Sequence, residues 1–233
     1  MARRSGNETN GSARRRSAPY VATLTEKIVA WLNPSPDGKI HHCRPEFITN
    51  SSLDEIIDVD CGEGRLTTQI SRHVRRIVGI DASSNMIASF HSNYPEIVSR
   101  VVDCRFLSQE DSLTNGSFDK VFSNAALHWI LRDENTRVNF MKACFDTLKP
   151  GGKFVSESGA LGNVAEVHAA LIGELVHRGV PRQKALELSP WWFPSIEAMR
   201  SLVESAGFQW IRGEIELRQT KLTENEEGGI AGW

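Results

Sequence analysis

Ile56-Ile-Asp-Val-Asp-Cys-Gly-Glu-Gly64, running on into Arg65 to Val74, is the stretch that decides the fold. An apolar run of strand character enters a loop with glycine at 62 and 64, and a helical stretch opens directly behind it. Glycines where a strand turns into a helix let the backbone come close to a ligand, and the first helical N–H groups are left free to bind it. A second run, Arg76-Ile-Val-Gly-Ile-Asp81, ends in an acid 19 residues after Gly62. A carboxylate there can grip two ribose hydroxyls. Strand, glycine loop, helix, strand and acid form half of a Rossmann-like α/β fold.

The chain goes on alternating between strand and helix. The pattern predicts strands near 55–60, 76–81, 99–103, 119–123 and 153–158, and helices near 64–73, 84–91, 133–147, 163–178 and 195–206. That order implies a doubly wound, mostly parallel sheet with helices on both faces and right-handed crossovers. Ser195 is placed to cap the last helix and Gly207 to close it at C′. Phe208 to Thr220 alternates well enough for a sixth strand. Upstream, Val21, Leu24, Ile28, Trp31 and Leu32 have helical spacing, and Asn33 to Gly38 ends that helix. Residues 39–54 are polar and without a period, so they read as an insertion within a single domain over 19–233.

Composition allows this fold and narrows the function. A chain of 233 residues with 40% hydrophobic content can bury one large core. Its 27 basic and 29 acidic residues nearly balance, so no global field draws it to nucleic acid or membrane. Residues 1–18 depart from that balance: five arginines against Glu8 make +4, leaving −6 on the remainder. This basic tail is expected to be disordered, as a solvated segment or a nuclear or mitochondrial address. No apolar stretch of membrane-spanning length is present, and the expected location is cytoplasmic. Cys43, Cys61, Cys104 and Cys144 lack the spacing of a zinc site or a disulfide framework, and His41-His42-Cys43 has no further ligands nearby in sequence. Reduced thiols and no metal are the expectation.

Two further motifs narrow the reading. Ser117-Phe-Asp-Lys-Val-Phe-Ser-Asn-Ala-Ala-Leu-His-Trp129 follows the third strand, and Leu148-Lys-Pro-Gly-Gly-Lys-Phe-Val155 follows a helical stretch. With the glycine loop and a later Gly162-Asn-Val164, they make the chain resemble the class I S-adenosylmethionine-dependent methyltransferases. The likeness is closest to the small-molecule branch similar to the trans-aconitate methyltransferases, fungal members included, and covers roughly residues 20 to 233. Thr67 stands where a nicotinamide-binding loop has its third glycine, which disfavours an oxidoreductase.

The resemblance implies S-adenosylmethionine as cofactor. It places Asp58, Cys61, Gly62 and Gly64 around the methionine part, Asp81 on the ribose, Ala82 and Met86 beside the adenine, Asp103 and Cys104 at the adenine edge, and Asn124 and Ala125 beside the reactive methyl. Methyl transfer needs mostly positioning and exclusion of water. His128 is the candidate general base, because it follows the fourth strand and titrates near neutrality. Trp129, Arg132, Trp191 and Trp192 are the substrate candidates, with Arg132 as the nearest cation for a carboxylate acceptor. Plain readings stand beside these. Asp58 could anchor the loop through backbone N–H groups, Met86 could be core, Asp103 could cap a strand end, and His128 with the Trp191-Trp192-Phe193-Pro194 run could be packing.

Asp60 departs from the family pattern, which has glycine at that position. Turned inward, its carboxylate would cost on the order of a few kcal/mol against the ligand's carboxylate. An Asp60 that filled the cavity would leave only the architecture standing. Turned outward, it could bind the ligand's ammonium, which puts it among the cofactor-binding positions. Relatives continue beyond a motif like Gly229-Ile-Ala-Gly-Trp233 into a final antiparallel strand. A sheet lacking that strand is expected to have an unpaired edge and a tendency to form a homodimer. These departures give weight to an alternative, a methyltransferase-fold accessory protein of a small-molecule pathway that transfers no methyl.

Overall fold

The computed structural model describes residues 53–217. The basic tail, the helix expected over 21–32, nearly all of the 39–54 insertion, the end of the expected sixth strand and the final motif lie outside them.

Five strands form one parallel sheet: β1 Glu55–Val59, β2 Arg76–Asp81, β3 Val98–Val101, β4 Phe118–Asn124 and β5 Leu148–Glu157, in the order β3-β2-β1-β4-β5. The chain steps outward from β1 to β3, then crosses back to lay β4 on the other side of β1. That reversal opens a crevice at the carboxyl ends of β1 and β4, the place where ligands bind in such sheets. The central strands read as near-continuous apolar runs because both of their faces are covered.

Successive residues of a strand face opposite sides. Ile57, Val59, Val78, Ile80 and Val121 therefore share one buried cluster with Phe140, Met141 and Cys144 of α4 (Glu134–Thr147) and Val203 of α7 (Ile196–Ser205). Ile56, Ile77 and Phe122 are buried on the other side, where α1 (Arg65–Ser71) and α2 (Ser84–Asn93) pack on β2 and β3.

Side-chain caps start three of the helices. Ser83 accepts from the Met86 N–H, Asp133 from Asn135 and Ser195 from Ala198. Gly207 closes α7 at φ 104, with Phe208 N–H donating to the Val203 carbonyl at 3.2 Å and Gly207 N–H to Glu204 at 3.1 Å. This crossed pair of bonds is the Schellman closure, as the Ser195 and Gly207 signals predict.

Three features differ from the sequence expectation. β5 begins at Leu148, five residues early, because Pro150-Gly151-Gly152 is carried inside the strand as an irregularity: pairing jumps from Phe118↔Leu148 to Lys120↔Lys153. The sixth strand is not formed over the described residues 208–217. Phe208 and Trp210 pack on the core while the residues after them are exposed. Alternation marks a face to bury but supplies no hydrogen-bonding neighbour, and among the described residues the outer edge of β5 has none. Short elements without a periodic signal also form: α3 (Leu127–Ile130), α6 (Arg182–Glu187) and a 3₁₀ segment over Cys104–Gln109.

Candidate active site at the carboxyl rim of the sheet

Strand register brings the predicted residues together. Val59 pairs with Ile80 and Asp58 with Phe122, so the next positions set Asp60 between Asp81 of β2 and Asn124 of β4. Asp81 pairs with Val101, which puts Asp103 just beyond β3 on the same rim.

The loop after β1 is built from left-handed residues: Asp60 at φ 63, Gly62 at φ 57 and Gly64 at φ 78. Asp60 and Cys61 both donate their N–H groups to the Ile80 carbonyl, at 2.8 and 3.0 Å. Asp81 takes the Gly62 N–H on Oδ2 at 2.8 Å and the Ser83 N–H on Oδ1 at 2.7 Å. A carboxylate oxygen has room for a second donor, so Asp81 ties the loop together and still keeps acceptor capacity. A Cβ added at Gly62 would meet no atom within 4 Å, so the loop's outer side is open.

Asp60 turns inward. Its carboxyl lies within hydrogen-bond reach of Asp81 and is pushed up to about 6, first by burial and then by the Asp81 and Asp103 charges. Two carboxyls in that relation share a proton or repel. Asp60 tolerates the left-handed backbone better than most non-glycine residues, which explains how the loop keeps its shape without the expected glycine.

Other predicted positions have local partners. Asp58 is buried, accepts the Thr67 hydroxyl at 2.6 Å, and is pushed up to about 7 by that burial. Thr67, where a third glycine is absent, thus pins α1 to β1 through a side-chain bond to Asp58. Gly64 carries a packing constraint too, since a Cβ there would fall 2.6 Å from the Phe90 ring. Asp103 is gripped by Arg105 through Nε at 3.0 Å and Nη2 at 2.6 Å, bonds that hold its carboxyl below the ordinary range. Cys104 is buried beneath the loop, Cys61 is half-buried, and burial pushes both thiols up. Ala82 and Met86 stand exposed at the start of α2. Asn124 keeps a buried Oδ1 with no partner, and Ala125 turns the chain out of β4 at φ 56.

Beyond Ala125, α3 carries His128 and Trp129 into an aromatic cluster. Ring centroids lie 5.4 Å apart for His128–Trp129, 5.7 Å for His128–Phe193, 5.7 Å for Trp129–Trp191 and 5.7 Å for the stacked pair Trp191–Phe193. His168 of α5 (Ala165–His177) joins from the side at 6.1 Å from Trp191. Trp192 does not join the cluster: it packs on the core under Arg137, whose guanidinium lies 4.1 Å over its ring. Arg132 is exposed on the turn after α3. His168 was not foreseen, although the Gly162-Asn-Val motif opens the helix that carries it.

A family model described as "Methyltransferase domain" matches residues 57–156. The uncharacterized methyltransferase C70.08c of Schizosaccharomyces pombe is 36% identical over 193 residues, covering 83% of this chain and 67% of that protein. The chain belongs to the class I S-adenosylmethionine-dependent methyltransferases. The mitochondrial ubiquinone biosynthesis O-methyltransferase of Rattus norvegicus is 27% identical over 159 residues, 66% of this chain and 44% of that protein. A trans-aconitate 2-methyltransferase of Deinococcus radiodurans is 28% identical over 100 residues, 42% of this chain and 35% of that protein. The chain thus spans less than half the length of these last two relatives.

The cofactor of this methyltransferase family, S-adenosylmethionine, can be tested against the rim. Gly62's open face leaves room for a ligand, Asp81 can accept from ribose hydroxyls, and the unpartnered Asn124 Oδ1 can accept from an ammonium. These residues fit the group. Asp60, whose carboxyl lies against Asp81, is the departure from the family pattern at this rim. Among the described residues no helix is long and apolar enough to cross a membrane.

Proposed function

We propose that this methyltransferase transfers the methyl of S-adenosylmethionine to a small-molecule acceptor, in a branch similar to the trans-aconitate methyltransferases and within secondary metabolism in the cytoplasm. The observation that carries this reading is the meeting, at the switch point, of Gly62's open face, the Asp81 carboxylate and the partnerless Asn124 Oδ1. The aromatic walls from Trp129, Trp191 and Phe193 support a compact acceptor over a protein or nucleic-acid chain. Bound there, the sulfonium supplies an electrophilic methyl. Asp81 and Asn124 orient it, and the loop and α3 bring the acceptor alongside.

Calorimetry with S-adenosylhomocysteine tests donor binding, and a mass-shift assay with S-adenosylmethionine and a crude metabolite extract then identifies the acceptor. Micromolar affinity and a gain of one methyl are expected. The inward Asp60 carboxyl favours a second reading, an accessory protein that transfers no methyl. Absence of heat at millimolar ligand selects it. Homodimer formation through the outer edge of β5 is a separate proposal, checked by sedimentation over a dilution series.

A further inference from the structure

His128 is held so that one of its two ring nitrogens is already spoken for. The Gly159 N–H donates to its Nδ1 at 3.3 Å. A backbone amide has only a hydrogen to offer, so Nδ1 presents a lone pair and a neutral ring carries its proton on Nε2. The surroundings keep the ring neutral: burial alone moves it, and it moves it down, with no charged group acting on it. The ring is also fixed in orientation, by Trp129 and Phe193 at 5.4 and 5.7 Å, while its own carbonyl accepts the Trp192 N–H at 2.9 Å. Gly159 packs closely against this cluster, since a Cβ there would lie 2.6 Å from both Phe193 and Asn163. Nε2 has no partner among the described residues and is not among the buried unpartnered atoms. Its N–H therefore reaches accessible space beside the aromatic cluster.

We propose that His128 positions the acceptor by donating its Nε2–H to it, instead of serving as the base that deprotonates it. This rests on the methyl-transfer reading. A base at Nε2 would need a lone pair there, which would turn a proton on Nδ1 against the Gly159 N–H. The acceptor oxygen must then arrive anionic at neutral pH, as in a carboxylate, an enolate or an acidic phenol. Its lone pair forms the O–CH3 bond as the donor's S–CH3 bond breaks, the two opposite charges cancel, and no proton is left to remove. The flat faces of Trp129, Trp191 and Phe193 suit a planar, conjugated body behind that oxygen.

The test uses the full chain labelled with 15N-histidine, with His128 assigned from the His128→Gln spectrum. The neutral Nε2–H tautomer is expected at pH 7 and above, because burial lowers the ring's pKa; an Nδ1–H tautomer or an imidazolium at pH 7 overturns the proposal. Trans-cinnamate and cinnamyl alcohol, followed by tryptophan fluorescence in saturating S-adenosylhomocysteine, probe the donor role. The acid should bind about tenfold more tightly than the alcohol, because a hydrogen bond to a charged group is the stronger kind. His128→Gln keeps an N–H near the Nε2 position and should retain that preference within about threefold, whereas His128→Phe should abolish it. Equal affinity for the two probes, including none for either, overturns the proposal, as does a Gln variant that behaves like Phe. S-adenosylhomocysteine calorimetry on the same samples reports separately on the methyl-transfer reading, and the tautomer is read whatever that shows.

Discussion

Replacing Asp60 by glycine should make this protein both more stable and a better binder of its cofactor. Asp60 sits at φ 63, a conformation that costs a non-glycine residue about 1 kcal/mol. Its carboxyl is carried from 3.8 to about 6, which corresponds to on the order of 3 kcal/mol at pH 7.5 before solvent screening. Because the side chain is only partly buried, about 1–2 kcal/mol is the better figure. Glycine returns about 0.5–1 kcal/mol through its larger unfolded-state entropy. The net gain is about 1–2 kcal/mol, or roughly 2–8 °C in Tm for a chain of this size.

The sign with pH follows from the direction of the shift. An acid whose folded pKa is raised destabilises nothing below the ordinary carboxylate range, and its cost grows until the pH has passed about 6. The advantage of Asp60→Gly should therefore shrink as the pH falls from 7.5 towards 4. Freed of a neighbouring carboxyl, Asp81 should bind S-adenosylhomocysteine about ten- to a hundredfold more tightly, read by calorimetry at pH 7.5. If the variant binds less tightly than the parent, Asp60 is itself a ligand for the cofactor and the competition argument fails. A Tm that drops would refute the strain and repulsion assigned to it.

The two loop glycines should separate in urea denaturation. Gly64→Ala drives a Cβ to 2.6 Å from Phe90 and should cost about 2–4 kcal/mol, whereas Gly62→Ala, with nothing within 4 Å, should cost about 1 kcal/mol and weaken cofactor binding instead. Similar losses would mean that Phe90 yields easily. Thr67→Val removes the donor to buried Asp58 and should destabilise by about 1–3 kcal/mol at pH 8, with a smaller loss at pH 5.5 where the acid is protonated. A loss independent of pH would show that only packing changed. Gly207→Ala meets ordinary contacts to Phe145 at 3.5 Å but forces φ 104 on an alanine, so thermal melts should report a loss of about 1 kcal/mol.

What could be read from sequence was whatever depends on period and on local backbone chemistry. The parallel sheet and its long helices follow from apolar runs and helical spacing, and Ser195 with Gly207 bounds α7 through groups that act within a few residues. The sixth strand misled because alternation describes one chain while a strand needs two. In the site, the rim residues were legible because register places the residue after each strand side by side. Side-chain pairing was not. Asp58 turns to Thr67 and Trp192 to Arg137 through contacts between separate parts of the chain that no spacing encodes, and Asp103 turns to Arg105 two residues on, at the start of a 3₁₀ segment that carries no periodic signal. Whether Asp60 faced in or out was open for the same reason, since its side-chain rotamer is set by the neighbours it meets, here Asp81.

Backbone strain marks the site independently of the motifs. Among the described residues only Asp60, Ala125 and Val164 take positive φ without being glycine. Asp60 ends β1, Ala125 ends β4, and Val164 caps α5 just beyond β5, so the three follow the strands that bound the switch point and its neighbour. β2 and β3 end without such a residue. Each strained position turns a side chain or a helix towards the crevice: Asp60 onto Asp81, Ala125 into the α3 turn that carries His128, and Val164 into the helix that carries His168. Strain of about 1–3 kcal/mol per residue persists only where the surroundings over-determine it. Here those surroundings are the loop bonds to the Ile80 carbonyl, the bond from Ala125 N–H to the Glu157 carbonyl at 2.8 Å, and the His168 N–H bond back to Val164 at 2.9 Å. The distortion is thus concentrated after β1, β4 and β5, while β2 ends regularly and its Asp81 carboxylate ties down the strained loop after β1.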